Sequence, residues 1–188
     1  LNLARPELMC YGVESASELE ELLRPANALS VGPGLGQSEW AIALFQKAIE
    51  TNLPMVVDAD ALNLLSKNPQ HHDNWVLTPH PGEAARLLGC SSEEIQADRF
   101  AAVYEQQRRY GGVVVLKGSG TLISNGEAPT RLSTWGNPGM GSGGMGDVLA
   151  GVIGGLLAQH FPIMDAACVG VTLHGMAADK AAELDGER

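Results

Sequence analysis

Six glycines fall within eleven residues between Gly136 and Gly146, and Asp147 follows them directly at the start of an apolar run. A helix that begins there presents unpaired N–H groups and the positive end of its dipole, and glycines let an anion approach that backbone closely. The loop Gly143-Gly144-Met145 is therefore read as anion-binding, with phosphate the obvious anion. Asp147 has two readings: a charge that complements the helix start, or a base at the edge of the anion site. The order of residues is not that of a P-loop, because no Lys follows the glycines, and it is not a strand-proximal GxGxxG.

Lys117-Gly118-Ser119-Gly120-Thr121 places an ammonium and several N–H donors just after an apolar segment. It suits a nucleotide, and equally a plain glycine turn between neighbouring strands. In Thr78-Pro79-His80-Pro81-Gly82-Glu83, His80 either contacts a substrate amide or sugar or is a locally bonded turn residue. Glu83 either holds Mg²⁺ through water or supplies a favourable helix-start charge. Asp58 and Asp60 resemble a carboxylate pair, but alternate residues of an extended segment face opposite ways, and Asp60 suits a helix cap. His71-His72-Asp73 reads as a solvated loop, and His160 and His174 as core or surface residues. Met140 and Met145 suit either a flat ring or gap filling. No zinc spacing or Ser/His/Asp order stands out.

The elements that must carry these residues alternate. Apolar runs at 28–31, 54–57, 75–77 and 113–116 read as strands, the first stopped by the glycine-proline turn 32–36 and the others followed by Asp58, the 78–83 loop and the 117–121 loop. Ser38 caps a helix with apolar positions 41, 44, 45, 48 and 49. A short helix is expected over 61–66. Pro81 suits a helix's first turn, and Ser91 with Glu94 forms a capping box opening a helix to Tyr110, stopped by Gly111. Segments 121–124 and 130–133 flank Asn125-Gly126 as a hairpin, and two helices, about 147–160 and 165–184, finish the chain. This alternation predicts an α/β fold with a mostly parallel sheet and helices on both faces, its site at the carboxyl ends of the strands.

The 188 residues fit one domain, 1–188, without linker or repeat. With 12 Lys and Arg against 22 Asp and Glu, the net charge of −10 argues against nucleic acid and anionic membranes. The longest apolar stretch, 148–158, is too short to span a bilayer, and no targeting segment is read at the start. Three widely spaced cysteines fit reduced thiols in a cytoplasmic protein. The chain opens on Leu1, which predicts a piece of a longer product.

The loops Gly32-Pro33-Gly34-Leu35-Gly36, Asp58-Ala59-Asp60-Ala61-Leu62-Asn63, 78–83, 117–121 and 143–147, in this order, resemble the ADP-dependent (S)-NAD(P)H-hydrate dehydratase family of the ribokinase-like superfamily. The resemblance runs from about Leu29 to His174, with Gly141 where Ala is common in the family. It implies a ribokinase-like three-layer α/β/α fold, truncated at its N-terminal end. It implies repair of hydrated NADH or NADPH with ADP or ATP as phosphoryl donor and Mg²⁺ as cofactor. By position, Lys117, Gly118, Ser119, Gly120, Thr121 and Gly146 would contact the nucleotide. Gly34, His80 and Asp147 would contact the hydrate, Asp147 as the catalytic base, with Glu83 toward Mg²⁺. It further implies a homo-oligomer, and an N-terminal NAD(P)H-hydrate epimerase domain in the full-length chain. The alternatives are a small-molecule kinase of the same superfamily, such as a hydroxyethylthiazole-kinase-like enzyme, and a nucleotide-binding module without turnover.

Overall fold

The computed structural model describes residues 8–186. The expectation of no targeting segment falls partly on residues 1–7, outside the described residues.

Four short strands, β1 (Leu29–Val31), β2 (Met55–Val57), β3 (Trp75–Leu77) and β4 (Val113–Leu116), pair in parallel in chain order. Two more, β5 (Thr121–Ser124) and β6 (Arg131–Ser133), continue the sheet antiparallel, as the Asn125-Gly126 hairpin predicted. Ser30, Val56, Val76 and Val113 lie in register across the parallel part.

Strands β2, β3 and β4 are buried along their whole length, so neither face meets water. Alternate residues divide between two apolar layers. Met55, Val57, Trp75, Leu77, Val114 and Leu116 face a layer built by α2 (Glu39–Glu50), α3 (Ala59–Lys67), α4 (Pro81–Leu88), α5 (Ser92–Ala97) and α6 (Arg99–Tyr110). Val56, Val76, Val113 and Val115 face α7 (Met145–Ala158) and α8 (Ile163–Asp185). The result is the three-layer α/β/α arrangement that the alternation predicted. The buried rings keep their polar ends satisfied: Trp75 Nε1 donates to the Tyr110 carbonyl at 3.0 Å, and Tyr110 Oη donates to the Leu87 carbonyl at 2.7 Å.

Local signals decide most boundaries. Ser38 accepts from the Ala41 N–H, and Ala41, Leu44, Phe45, Ala48 and Ile49 form the buried face of α2. Ser91 and Glu94 make the expected reciprocal box. The helix they open is shorter than predicted. Asp98 leaves the helical region at φ −147°, ψ 84°, and its side chain accepts from the Ala101 N–H at 2.9 Å to start α6. The short Asp side chain competes with the helix's own backbone bonds and restarts the helix. Helices α3, α7 and α8 each begin two residues earlier than predicted, at Ala59, Met145 and Ile163. A helix not foreseen, α1 (Ala16–Leu23), packs on α2.

The three cysteines are free, as their spacing suggested. Among the described residues no helix is long and apolar enough to cross a membrane.

Gly32, immediately after β1, has φ +134°, and a Cβ there would lie 1.7 Å from the Asp58 carbonyl oxygen. Gly32→Ala is expected to cost more than about 3 kcal/mol, from strain and overpacking together. Thermal denaturation should read it as a Tm lower by roughly 6–12 °C.

Candidate active site

Each parallel strand ends in one of the chemistry-bearing loops, so the sheet gathers them along one edge. Asp58 follows β2, Thr78 to His80 follow β3, and Lys117 follows β4. The ladder continues past the strands through Asp58 N–H to Val31 O, Thr78 N–H to Val57 O and Lys117 N–H to Pro79 O. These bonds fix the relative heights of Asp58, His80 and Lys117.

Lys117 is the electrostatic centre. Its Nζ lies 2.9 Å from Asp58 Oδ1 and 3.9 Å from Glu83 Oε2. The Asp58 side chain is 2% exposed, that of Glu83 8% and that of Lys117 20%, so the ion pair is mostly out of water. Sequence reasoning left Asp58 without a partner, because its partner lies 59 residues away. Ala59 sits at φ +48°, a conformation that costs a β-carbon residue about 1 kcal/mol, directly after the buried carboxylate. Asp60 does not cap α3. Its Oδ2 accepts the Gly36 N–H at 2.8 Å and holds the loop that contains Gly34.

His80 and Glu83 form a capping box at the start of α4, with Pro81 in its first turn. His80 Nδ1 accepts from the Gly82 N–H at 2.9 Å, and Glu83 Oε2 accepts from the His80 N–H at 2.8 Å. A neutral His80 therefore carries its proton on Nε2. The spacing His-x-x-Glu before a helix was the signal available for this box. With Oε2 committed and Oε1 3.7 Å from His80 Nε2, Glu83 does not fit direct metal ligation. Among the described residues no three His, Cys, Asp or Glu side chains cluster as a metal cage.

The glycine loop turns through a 3₁₀ segment, Pro138–Gly141, into α7. Its entry is tied to α8: Asp179 accepts from the Gly136 N–H at 2.9 Å and from the Asn137 amide at 3.0 Å. Gly144 is the N-cap of α7 at φ +89°, a conformation suited to glycine, and it offers no side-chain acceptor. The first-turn N–H groups of α7 consequently have no capping partner from within the helix. A Cβ on Gly146 would lie 3.2 Å from Lys117 Nζ, so this helix start abuts the ammonium. Asp147, in the same first turn, is exposed and makes no hydrogen bond or ion pair among the described residues.

The Lys117–Thr121 loop is clamped from α6. Arg99 donates to the carbonyls of Ser119 at 2.6 Å and of Leu116 at 3.2 Å. Gly118 lets the guanidinium in, since a Cβ there would come 2.9 Å from Arg99 Nη2. Nothing local in the sequence marks Arg99 for this role.

A cavity of about 740 Å³ opens between these parts, within the size range of small-molecule sites. His80, the whole 117–121 loop, Met145 and Gly146 line it, with residues 134–138 and 140–142 and Leu149, Val171, His174 and Gly175. Gly34, Glu83, Gly143, Gly144 and Asp147 are not among its lining residues. Glu83 stands behind Lys117, and Gly143, Gly144 and Asp147 flank Gly146 in the chain. His174 is buried, and burial, aided by the charge of Lys117, lowers its pKa below the usual imidazole value. The arrangement offers a cationic side chain, an open helix start, flexible glycine backbone and one free carboxylate around a half-apolar cavity. That combination has the chemistry to suit a phosphorylated ligand and a proton transfer at its edge.

A family described as NAD(P)H-hydrate dehydratase matches residues 1–187. The bifunctional NAD(P)H-hydrate repair enzyme Nnr of Coxiella burnetii is 54% identical over 184 residues, covering 98% of this chain and 38% of the relative. The chain thus spans less than half of that relative's length. A ribokinase-like superfamily protein from Enterococcus faecalis superposes with a TM-score of 0.87 at 31% identity, covering 98% of this chain and 66% of the other. An ADP/ATP-dependent NAD(P)H-hydrate dehydratase from Bacillus subtilis, crystallised with ATP and Mg²⁺, gives a TM-score of 0.76 at 31% identity over 87% of this chain and 58% of its own.

Proposed function

The chain belongs to the NAD(P)H-hydrate dehydratase family, and from that membership we propose that it returns hydrated NADH or NADPH to the dihydronicotinamide form at the expense of ADP or ATP. The observation that carries the reading is the meeting of Lys117 with the uncapped start of α7 at one cavity wall. An ammonium beside unpaired N–H groups is a site for the phosphates of a nucleotide. The 117–121 loop and Gly146 take those phosphates, and His80, Gly34 and Asp147 face the hydrate.

Asp147 accepts the proton of the hydrate's hydroxyl as that oxygen attacks the terminal phosphoryl group. With ADP as donor, AMP departs and the hydroxyl becomes a phosphate ester. The ester leaves as inorganic phosphate, pushed by the ring nitrogen's electron pair, and the neighbouring ring carbon then loses a proton to water as the ring double bond reforms. Positioning and electrostatic stabilisation supply most of the acceleration, through Lys117 and the N–H groups near Gly144 to Gly146. Mg²⁺ bound to the nucleotide's phosphates would neutralise charge there, with Glu83 meeting it only through water.

The test mixes hydrated NADH with the protein, Mg²⁺ and either ADP or ATP. The near-UV dihydronicotinamide band should return only with nucleotide, with free phosphate released in equal amount. Phosphate retained on the organic product would identify a kinase instead. No return with either nucleotide would overturn the proposal.

The clamp on the nucleotide loop makes a second expectation. Arg99→Met removes the three hydrogen bonds that hold the carbonyls of Leu116, Lys117 and Ser119. Losing charge-assisted bonds of this kind should raise the nucleotide KM by roughly 10–100-fold with kcat changed far less. Steady-state kinetics at varied nucleotide reads both constants.

The longer relative is named bifunctional. We extend the proposal to the whole protein accordingly: an NAD(P)H-hydrate epimerase domain precedes this one. A homo-oligomeric state, which rests on the family resemblance, and a cytoplasmic location, which rests on the three free cysteines, belong to the same proposal.

A further inference from the structure

Asp179, on α8, uses both carboxylate oxygens on the entry of the glycine loop. Oδ2 accepts from the Gly136 N–H at 2.9 Å and Oδ1 from the Asn137 side-chain amide at 3.0 Å. Asn137 Oδ1 accepts in turn from the Gly139 N–H at 3.0 Å. The bonds continue along the loop. The Ser142 hydroxyl and N–H donate to the Gly139 carbonyl, and the Met145 N–H donates to the Ser142 carbonyl at the start of α7. A relay of hydrogen bonds thus runs from α8 to the helix start that abuts Lys117. Packing does little for its last part: residues 141–144 are exposed, and a Cβ at Gly141, Gly143 or Gly144 would meet nothing within 4 Å. Met140, Gly141 and Ser142, within the relay, line the cavity. We propose that Asp179 is a positioning residue for phosphoryl transfer: with Asn137 it sets the glycine loop against the reacting group, while Lys117 and its loop hold the nucleotide. This inference rests on the reading of the cavity as the site of phosphoryl transfer.

The chemistry of the pair is fixed from both ends. The Gly136 and Gly139 N–H groups are backbone donors, so each requires an acceptor. Where the two side chains meet, one must donate and the other accept. The pair must therefore supply three acceptors and one donor, which is one carboxylate and one amide. Two amides leave a donor facing a donor whichever way either is turned. Two carboxylates place like charges in contact. Asp179 with Asn137 meets the requirement. The exchanged pair, Asp179→Asn together with Asn137→Asp, meets it equally and keeps the net charge.

Steady-state kinetics of Asp179→Asn, Asn137→Asp and the double exchange test this. Each single variant should lower kcat by roughly 10–100-fold, the scale of misplacing a reacting group by about 1 Å. Nucleotide KM should stay within about threefold, because the Lys117 N–H is bonded to the Pro79 carbonyl and Arg99 clamps the loop that follows. The double exchange should recover most of the lost kcat. Amide hydrogen exchange over residues 136–145 should quicken in each single variant and slow again in the double one, a readout independent of turnover. Melting temperatures should agree within about 5 °C, since single hydrogen bonds contribute little net stability. Should Asp179→Asn not fold, Asn137→Asp carries the same expectation. Unchanged kcat in the single variants, a rise in nucleotide KM as large as the fall in kcat, or a double exchange no better than the singles would overturn the inference while leaving the proposed function in place. A wild-type protein without turnover would overturn the proposed function, and this role of Asp179 with it.

Discussion

Asp147→Asn is expected to lower kcat by about 10²–10⁴-fold, the usual contribution of a positioned general base. Nucleotide affinity should stay within about threefold, because Asn keeps the size and much of the polarity of Asp. The structure leaves this carboxylate free to act: it is exposed, in the first turn of α7, with no hydrogen-bond or ion-pair partner among the described residues. It adjoins Gly146, which lines the cavity and abuts Lys117. A base at that place can take a hydroxyl proton while the neighbouring N–H groups meet the phosphoryl group. The competing reading gives Asp147 only a dipole-complementing role. In that case the substitution costs about 0.3–1 kcal/mol of stability and leaves turnover intact. Single-turnover rates together with a melting curve separate the two. A base used only in the transition state lowers kcat and kcat/KM equally, and normal turnover in a well-folded Asp147→Asn protein would remove Asp147 from catalysis.

Lys117→Met is expected to abolish detectable nucleotide binding and also to destabilise the fold by about 3–5 kcal/mol. The second effect comes from Asp58. Its carboxylate is 2% exposed and bonded to Lys117 at 2.9 Å, and Glu83 lies on the same ammonium at 3.9 Å. Removing the cation leaves buried negative charge without compensation, which is far more costly than losing an exposed pair. The double variant Lys117→Met with Asp58→Asn should regain most of the stability and none of the nucleotide binding. Denaturant titration and ADP calorimetry on the three variants give the two quantities independently. A Lys117→Met protein as stable as the wild type would mean that the Asp58 charge is compensated from elsewhere.

Both arguments use residues that were visible in the sequence, but through contacts that were not. The place of Lys117 after a strand and before Gly118-Ser119-Gly120 suits a nucleotide or a plain glycine turn, and the family resemblance implies the nucleotide. That Lys117 also neutralises Asp58 follows only from β2 and β4 lying on either side of β3 in the folded sheet. Arg99 was read as one more residue of a long helix. The helix breaks at Asp98, and the break delivers Arg99 to the carbonyls of the 116–119 turn. His174 looked like an ordinary helix residue, and its cavity-side place depends on α8 crossing behind the 134–137 segment.

The sequence by itself determined what local chemistry can encode. The short apolar runs named the strands, since residues buried on both faces leave no polar alternation. Ser38, Ser91 with Glu94, Pro81 and Gly111 marked helix ends, because capping is satisfied within three or four residues. Glycine spacing before Asp147 marked an open helix start for the same reason. The tertiary structure alone decided which charges meet: the Asp58–Lys117 pair, the Arg99 clamp, the Asp179 tie to the glycine loop and the unpaired His174. Each joins residues separated by a strand or a helix, and their meeting is set by sheet order and layer packing, for which no local pattern stands in.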